Sequence, residues 1–416
     1  MKFAKFQILV LAASVALASA ALPTKAQDQG QPAPLVPKFA RGNASDIITA
    51  DIFDTIVYLP VNIGGKGPYS FILDTGNGGA PVVNENLART LGIALGTKVP
   101  ITGGAGSAPV DLYPIDTLDL SVPGLAFSGV PAATLPLDLM DPHWGKHKDG
   151  LLGGTIFSVA ITDIDYARRT VRFSDPKAFT PPAGEVIPIE VYGQPFVRAR
   201  VYLYGAAQPV EALLMVDTGV RVTTFNSPFS RTNKLVEQSP KTLATMSGFG
   251  INGASWGTVG RIQAIELGPV RLENPVVTFS TDKAGALSSD QFSGILGADI
   301  LKRFHVVFDY PGGRMFLEKN ADFGSPFEFD MSGLRLVAEG KDFGTVKVFH
   351  VADKTPAQAA GLKAGDEIRT IDGRSASTFN WETLRAYLQR PGQTVKLEVV
   401  RDGKTIPVAL TLQRLV

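Results

Sequence analysis

The chain spells one short acidic passage twice. "SFILDTGNGG" brings Asp74-Thr75-Gly76 out of an apolar run, and "LLMVDTGVR" does the same with Asp217-Thr218-Gly219, 143 residues further on. Each tripeptide closes the same local order: an apolar strand, a turn, a second apolar strand. Before the first these are "TIVYLPVNI", "GGKGP" and "YSFIL"; before the second, "FVRARVYLY", "GAAQP" and "VEALLMV". Downstream, "GLLGGTIFSVAITDIDY" (Gly150–Tyr166) is answered by "GILGADILKRFHVVFDY" (Gly294–Tyr310) at an offset of 144 residues. One residue of slippage over such a distance means two copies of one unit. The period is far longer than the roughly 20–50 residues of a solenoid repeat. The chain therefore builds two equivalent lobes, placed at residues 46–175 and 188–320 and joined by "SDPKAFTPPAGEVIP".

The lobes read as mainly β, because runs of Val, Ile, Leu and Phe are bounded by Gly and Pro. The 43 glycines and 29 prolines suit many strands joined by tight turns. Short helices are expected near Asn84 and Ser227, where a capping residue leads a more helical stretch, and after Gly153 and Gly297. Lys and Arg number 40 against 39 for Asp and Glu, so no basic surface points to nucleic acid. With no cysteine in 416 residues, disulfide frameworks, thiol nucleophiles and thiolate metal sites are excluded. At the start, Lys2 and Lys5 precede the apolar run Phe6–Ala18, and Ala18-Ser19-Ala20 offers small residues for cleavage. This pattern predicts a signal peptide over residues 1–21 and a periplasmic or secreted protein with no membrane span once it is cleaved. Residues 22–45, with "QDQGQPAPLVP", read as a flexible linker.

A carboxylate at the end of a buried strand, followed by Gly, sits on a tight loop that other backbone can approach closely. Two such loops related by a pseudo-twofold axis can bring their carboxyls together. Like charges at that range cannot both ionise easily, so the pair keeps one proton. The ionised partner can then take a proton from water while the other donates to a peptide carbonyl. Strand–DTG followed by Gly–apolar–Leu–Gly, twice over, resembles the pepsin and retropepsin-like aspartic proteases across residues 46–320. The resemblance implies two retropepsin-like β-barrel lobes, with Asp74 and Asp217 as the catalytic pair. Thr75, Gly76, Thr218 and Gly219 then support the active-site loops, and Leu151-Leu152-Gly153 and Ile295-Leu296-Gly297 pack against them. It implies an endopeptidase acting on a peptide or protein substrate with neither metal nor cofactor. It also implies glycine-rich flaps, for which Ile101–Tyr113 and Met246–Gly260 occupy the matching intervals, with Tyr113, Phe249 and Trp256 as substrate-facing aromatics. The family usually places Ser, Thr or Ala after DTG; here Asn77 and Val220 stand there, and the Asn77 side-chain amide is expected to replace the missing support.

From Phe329 to Val416 the character changes, and "AGLKAGDEIRTIDG" (Ala360–Gly373) resembles the PDZ family. That implies a small α+β domain over residues 329–416, with helices near Ala357–Ala360 and Trp381–Gln389. Its peptide-carboxylate loop falls at "SGLRL", with Gly333, Leu334 and Leu336 nearest a C-terminal peptide ligand. The rival reading for the whole chain is a catalytically inactive periplasmic adaptor that binds peptides on the same scaffold. His143 and His147 share an i,i+4 spacing, but Pro142 and Gly145 interrupt any regular helix and no third ligand is evident, so no metal is expected there. Asp163, Asp165 and Asp309 read as structural groups near strand ends.

Overall fold

The computed structural model describes residues 35–101, 106 and 108–416. The expected signal peptide and the first part of the expected linker lie outside the described residues. Residues 35–45 are not a free linker. Lys38–Phe39 pairs with Leu125–Leu135, Ala44 bridges to Ser174, and Leu35 and Phe39 pack on the main core. Among the described residues no helix is long and apolar enough to cross a membrane.

The duplication in the sequence is a duplication of strand order. In the first lobe Ile56–Ile63 runs antiparallel to Lys66–Leu73. Gly150–Leu152 lies parallel to the end of Lys66–Leu73 and antiparallel to Val82–Asn84. In the second lobe Gln194–Tyr202 pairs with Val210–Val216, and Gly294–Leu296 inserts beside it, parallel to Val210–Val216 and antiparallel to Thr224–Phe225. The inserted strands contain the repeated Gly–apolar–Leu, and both glycines face close neighbours. A Cβ on Gly150 would strike the Phe71 ring, and one on Gly294 would lie 2.9 Å from the Phe225 backbone.

A third sheet fastens the lobes together. Ile161–Asp165 and Phe304–Asp309, the strands that end in the repeated Asp-Tyr, pair antiparallel across the axis. Thr170–Ser174 and Ile48–Thr49 extend this sheet on one side, Arg314–Lys319 and Glu185–Pro188 on the other. The end of the expected connector is therefore itself a strand. Asp163 meets His305 Nε2 at 2.7 Å across the axis, while Asp165 pairs with Arg168 and Asp309 with Arg314. Asp165 and Asp309 hold strand ends, as expected, while Asp163 lies at the middle of its strand and braces the pairing across the axis. One continuous apolar core runs through both lobes, with Phe157, Phe173, Phe304 and Phe308 fully buried in it.

Helices appear where capping chemistry allowed. Glu85–Thr90 starts at Asn84, whose side chain accepts from the Asn86 amide at 3.0 Å. Ser227–Thr232 begins with Pro at its second position, where no amide donor is needed. Gly154–Phe157 and Ala298–Leu301 follow Gly153 and Gly297. Beyond Phe327 a separate unit has its own core, including Leu362, Ile368, Val395, Val399 and Leu410. Its five main strands run in the order Leu334–Glu339, Thr345–Val351, Glu367–Ile371, Thr394–Arg401, Lys404–Thr411. Its helices are Pro356–Ala359 and Trp381–Tyr387.

Candidate active site

Strand pairing delivers both aspartates to one point. The amide of Asp74 donates to Leu152 O at 3.0 Å, and that of Asp217 donates to Leu296 O at 3.0 Å. Each acid thus leaves its strand at the same step of the same ladder. The two following threonines are fully buried and cross the interface reciprocally. Thr75 Oγ1 donates to Val216 O at 2.7 Å and accepts from the Thr218 amide at 3.0 Å. Thr218 Oγ1 donates to Leu73 O at 2.6 Å and accepts from the Thr75 amide at 3.1 Å. Four hydrogen bonds of this kind, shielded from water, lock each loop to the strand carrying the opposite acid.

The glycines are required by close approach. A Cβ on Gly219 would lie 2.6 Å from Asp74 Cγ, and one on Gly76 would run into the Asp217 carboxylate. Each loop therefore lies flat against the other's acid, and the two carboxyls are hydrogen-bonded to one another. Asp74 Oδ1 also accepts from the Asn77 amide at 3.0 Å, and Asp217 Oδ1 from the Gly219 amide at 2.8 Å. Burial pushes both acids above the usual carboxylate range. Asp217 rises further, because the negative charge of Asp74 faces it. Asp74 is held down by the Asn77 amide and by the proton Asp217 donates. The two carboxyls lie too close to ionise independently, so the pair keeps one proton between them.

The Asn77 side chain does not take the expected role. Its Nδ2 donates to Ala80 O at 3.0 Å and its Oδ1 accepts from the Gly79 amide at 3.2 Å, so it shapes the turn. The support for Asp74 comes from its backbone amide, which any residue but proline supplies at that position. Val220 places its carbonyl on the Ala298 amide at 2.8 Å, and its side chain joins an apolar cluster with Phe196, Met215 and Ile295.

The pair lines a cavity of about 1130 Å³ between the lobes. Phe196, Met215, Leu287 and Ile295 form its wall on the second lobe, and Val82, Leu112, Leu135 and Met140 on the first. Two hairpins close over it. Val99–Ile101 pairs with Val110–Val122, and Leu243–Gly250 pairs with Gly253–Arg261. Their ends meet: Asn252 Nδ2 donates to Ala108 O at 2.6 Å, and the Ala108 amide donates to Asn252 O at 3.0 Å. Of the three aromatics expected to face substrate, only Phe249 lines the cavity. Tyr113 lies under the Arg89 guanidinium, and the half-exposed Trp256 meets His350 edge-on at 5.2 Å.

The module beyond Phe327 closes the remaining side. Helix Asp141–Trp144 of the first lobe packs on its edge strand Leu334–Glu339. Trp381 Nε1 donates to His143 O at 3.3 Å, and Arg335 Nε donates to Met246 O at 2.7 Å on a flap strand. His143 stacks on Phe249 at 3.6 Å, and Trp144 Nε1 donates to Phe249 O at 3.2 Å. The carboxylate loop expected around Gly333 and Leu334 is already filled. Asp330 Oδ1 accepts from the Ser332 amide at 3.0 Å and the Gly333 amide at 2.7 Å, and Ser332 Oγ accepts from the Leu334 amide at 3.0 Å. Leu334 is buried in the module's core, and Leu336 packs against it. The Gly333 amide is thus taken by the chain's own Asp330 carboxylate, and the Leu334 amide by the Ser332 hydroxyl. Sequence reasoning named the loop but missed Asp330, two to three residues upstream.

Asp138, Asp141 and His147 offer ligand atoms within 4.8 Å of one another. Asp141 is, however, already paired with fully buried Lys148 at 2.6 Å and with His147 at 2.6 Å. The trio serves as an ion-pair brace beneath helix Asp141–Trp144.

Two family models match parts of the chain. Residues 59–156 match the family model described as aspartyl protease, and residues 327–412 match that of the PDZ domain. A protein of Lactococcus lactis subsp. lactis named as a zinc metalloprotease is 30% identical over 113 residues, 26% of this chain and 26% of that relative. This chain thus spans about a quarter of that relative's length. Among solved structures, an aspartic proteinase from Irpex lacteus is 13% identical, covering 68% of this chain and 99% of its own at a TM-score of 0.41. The photosystem II D1 C-terminal processing protease is 26% identical over 22% of this chain and 25% of its own, with a TM-score of 0.20. The chain combines an aspartyl-protease domain of the retropepsin-like kind with a PDZ domain that follows it.

Proposed function

We propose that this protein is an exported aspartic endopeptidase. The observation that carries the reading is the pair of hydrogen-bonded carboxyls on twofold-related loops, both pushed up by burial, at the base of an apolar cleft. An extended peptide enters beneath the two hairpins and lays its side chains against the apolar walls. Asp74, ionised, takes a proton from the attacking water. Asp217, protonated, donates to the carbonyl oxygen of the scissile bond as the tetrahedral intermediate forms. Collapse of that intermediate returns a proton to the leaving amine, and the pair is restored with one proton. No covalent bond to the protein forms. Export rests on the N-terminal pattern of basic residues, apolar run and small residues.

The test is cleavage of an unfolded protein by the purified chain from acid to neutral pH. Activity is expected to be sensitive to pepstatin and to fall at least about a thousandfold in Asp74→Asn and again in Asp217→Asn, since each removes one of two groups acting as a unit. Intact substrate at every pH with a folded wild-type chain would replace this reading with that of a peptide-binding adaptor.

A further inference from the structure

Three arginines that the hydrolytic chemistry does not use converge on the wall of the same cavity, each from a different part of the fold. Arg221 follows the second DTG by two residues, Arg335 lies on the PDZ edge strand, and Arg385 lies on the PDZ helix Trp381–Tyr387. All three line the cavity that contains Asp74 and Asp217. Their local counterion is Asp54, at a turn of the first lobe, and one oxygen of it serves two of them. Asp54 Oδ2 is 2.9 Å from Arg221 Nη1 and 2.9 Å from Arg385 Nε. The Arg385 contact lies off the hydrogen-bond direction, so its Nε–H has no acceptor. Arg335 uses only Nε, on Met246 O. Asp330 is the other nearby carboxylate, and it is spent on the carboxylate loop. Glu382 Oε1 accepts from the Asp54 amide at 2.8 Å.

Each guanidinium has five N–H donors in a fork that matches a carboxylate. Arg221 and Arg385 share the Asp54 carboxylate and Arg335 makes one hydrogen bond to a backbone carbonyl, so donors outnumber acceptors at this junction. The side chains of Arg221 and Arg385 keep 23% and 31% of their surface accessible, while Arg385 Nε itself is buried. Burial and mutual repulsion pull Arg335 and Arg385 below the ordinary arginine range, to about 10 and about 9, so each guanidinium stands to gain from a further anion.

We propose that Arg221, Arg335 and Arg385 form a carboxylate-recognition site at the junction of the lobes and the PDZ domain, which anchors an anionic group of the peptide lying in the cleft. The site stands in for the PDZ loop, whose Gly333 and Leu334 amides are taken by Asp330 and Ser332. It rests on the reading of the cleft as a peptide site and makes the PDZ domain a wall of that cleft. The carboxylate comes from a peptide C-terminus or from an Asp or Glu side chain.

The experiment measures binding to the full chain carrying Asp217→Asn, which leaves peptides uncut. Three fluorescent peptides of one apolar sequence are compared by anisotropy: a free C-terminal acid, the carboxamide, and the carboxamide with a final Glu. The free acid is expected to bind about tenfold or more tighter than the plain carboxamide, the scale of one charge-assisted pair. Arg385→Met is expected to bring the two within about twofold while the carboxamide's own affinity holds; Arg335→Met closes the same gap with a weaker carboxamide, because Arg335 also holds the flap strand at Met246 O. Equal binding by the Glu carboxamide and the free acid identifies a side-chain carboxylate as sufficient. Equal binding of all three peptides to the unsubstituted arginine cluster overturns the proposal without reliance on any arginine variant. Discrimination that survives both arginine variants overturns it too. Because no bond is cut in this assay, its outcome is separate from whether Asp74 and Asp217 hydrolyse peptides.

Discussion

Thr218→Val removes one hydroxyl and nearly nothing else, at a place where the fold depends on hydroxyls. Valine fills the same volume, so no cavity opens. Two hydrogen bonds disappear: the donation to Leu73 O at 2.6 Å and the acceptance from the Thr75 amide at 3.1 Å. The carbonyl and the amide left behind lie at a fully buried site, where water cannot replace the lost partner. A stranded buried group costs about 1–3 kcal/mol, so the pair amounts to about 2–6 kcal/mol. For a body of this size that corresponds to a fall in Tm of about 3–10 °C. Thr218→Ser keeps the hydroxyl and loses one methyl, worth about 1 kcal/mol. Thermal and urea unfolding of the three chains decide the matter, with cleavage rates measured alongside. Because Thr75 and Thr218 form one network, Thr75→Val in the Thr218→Val background should cost much less than it does alone. A Thr218→Val chain within about 0.5 kcal/mol of wild type, with Ser no better than Val, would refute the claim that this crossed pair holds the two loops together.

Three further outcomes follow from the same geometry. Gly219→Ala forces a methyl to 2.6 Å from the Asp74 carboxyl carbon, far inside van der Waals contact, so cleavage should drop by at least about a hundredfold while the PDZ core still gives a native circular dichroism signal. Asp299 sits among Thr223 and Ile300 donors, and burial raises it to about 6. A raised acid favours folding below the unfolded value near 4 and loses that contribution as pH climbs through about 6. Asp299→Asn keeps the acceptor oxygen, so urea titrations should show a shallower loss of stability between pH 4 and 7, by about 2–3 kcal/mol. Trp144→Phe deletes the donor to Phe249 O; hydrogen exchange in residues 243–261 should quicken several-fold, with no change in the PDZ core amides.

Much of this site was open to reading because the chain states it twice. The aspartates, threonines and glycines stand at equal offsets, and equal offsets in a duplicated fold become equivalent positions. The strand partners Leu152 and Leu296 came with them, since parallel insertion beside each acid needs a short apolar strand behind a glycine. Backbone interactions were harder to foresee. The donor to Asp74 is an amide of Asn77, and the residue's identity says nothing about its amide. The Asp54 node was hidden for another reason. Asp54 and Thr55 form a hairpin turn, both with positive φ, where the sequence pattern starts an apolar strand at Thr55. Nothing local connects that turn to Arg221, 167 residues away, or to Arg385. Long-range ion pairs have no periodicity and no spacing rule, so they emerge only when the domains dock. The same holds for Tyr113 and Trp256: aromatics in a flap interval are common, and which of them turns inward is set by packing.

Counting the protons on Asp74 and Asp217 tests the account most directly. Carbon-13 NMR of chains labelled at the aspartate carboxyl carbon, with Asp74→Asn and Asp217→Asn to assign the signals, follows both acids from pH 3 to 8. The account predicts two separate titrations, with one carboxyl still protonated well after ordinary surface aspartates have ionised. Two independent titrations together near the ordinary aspartate value would contradict it, since isolated carboxylates cannot divide the roles of acid and base.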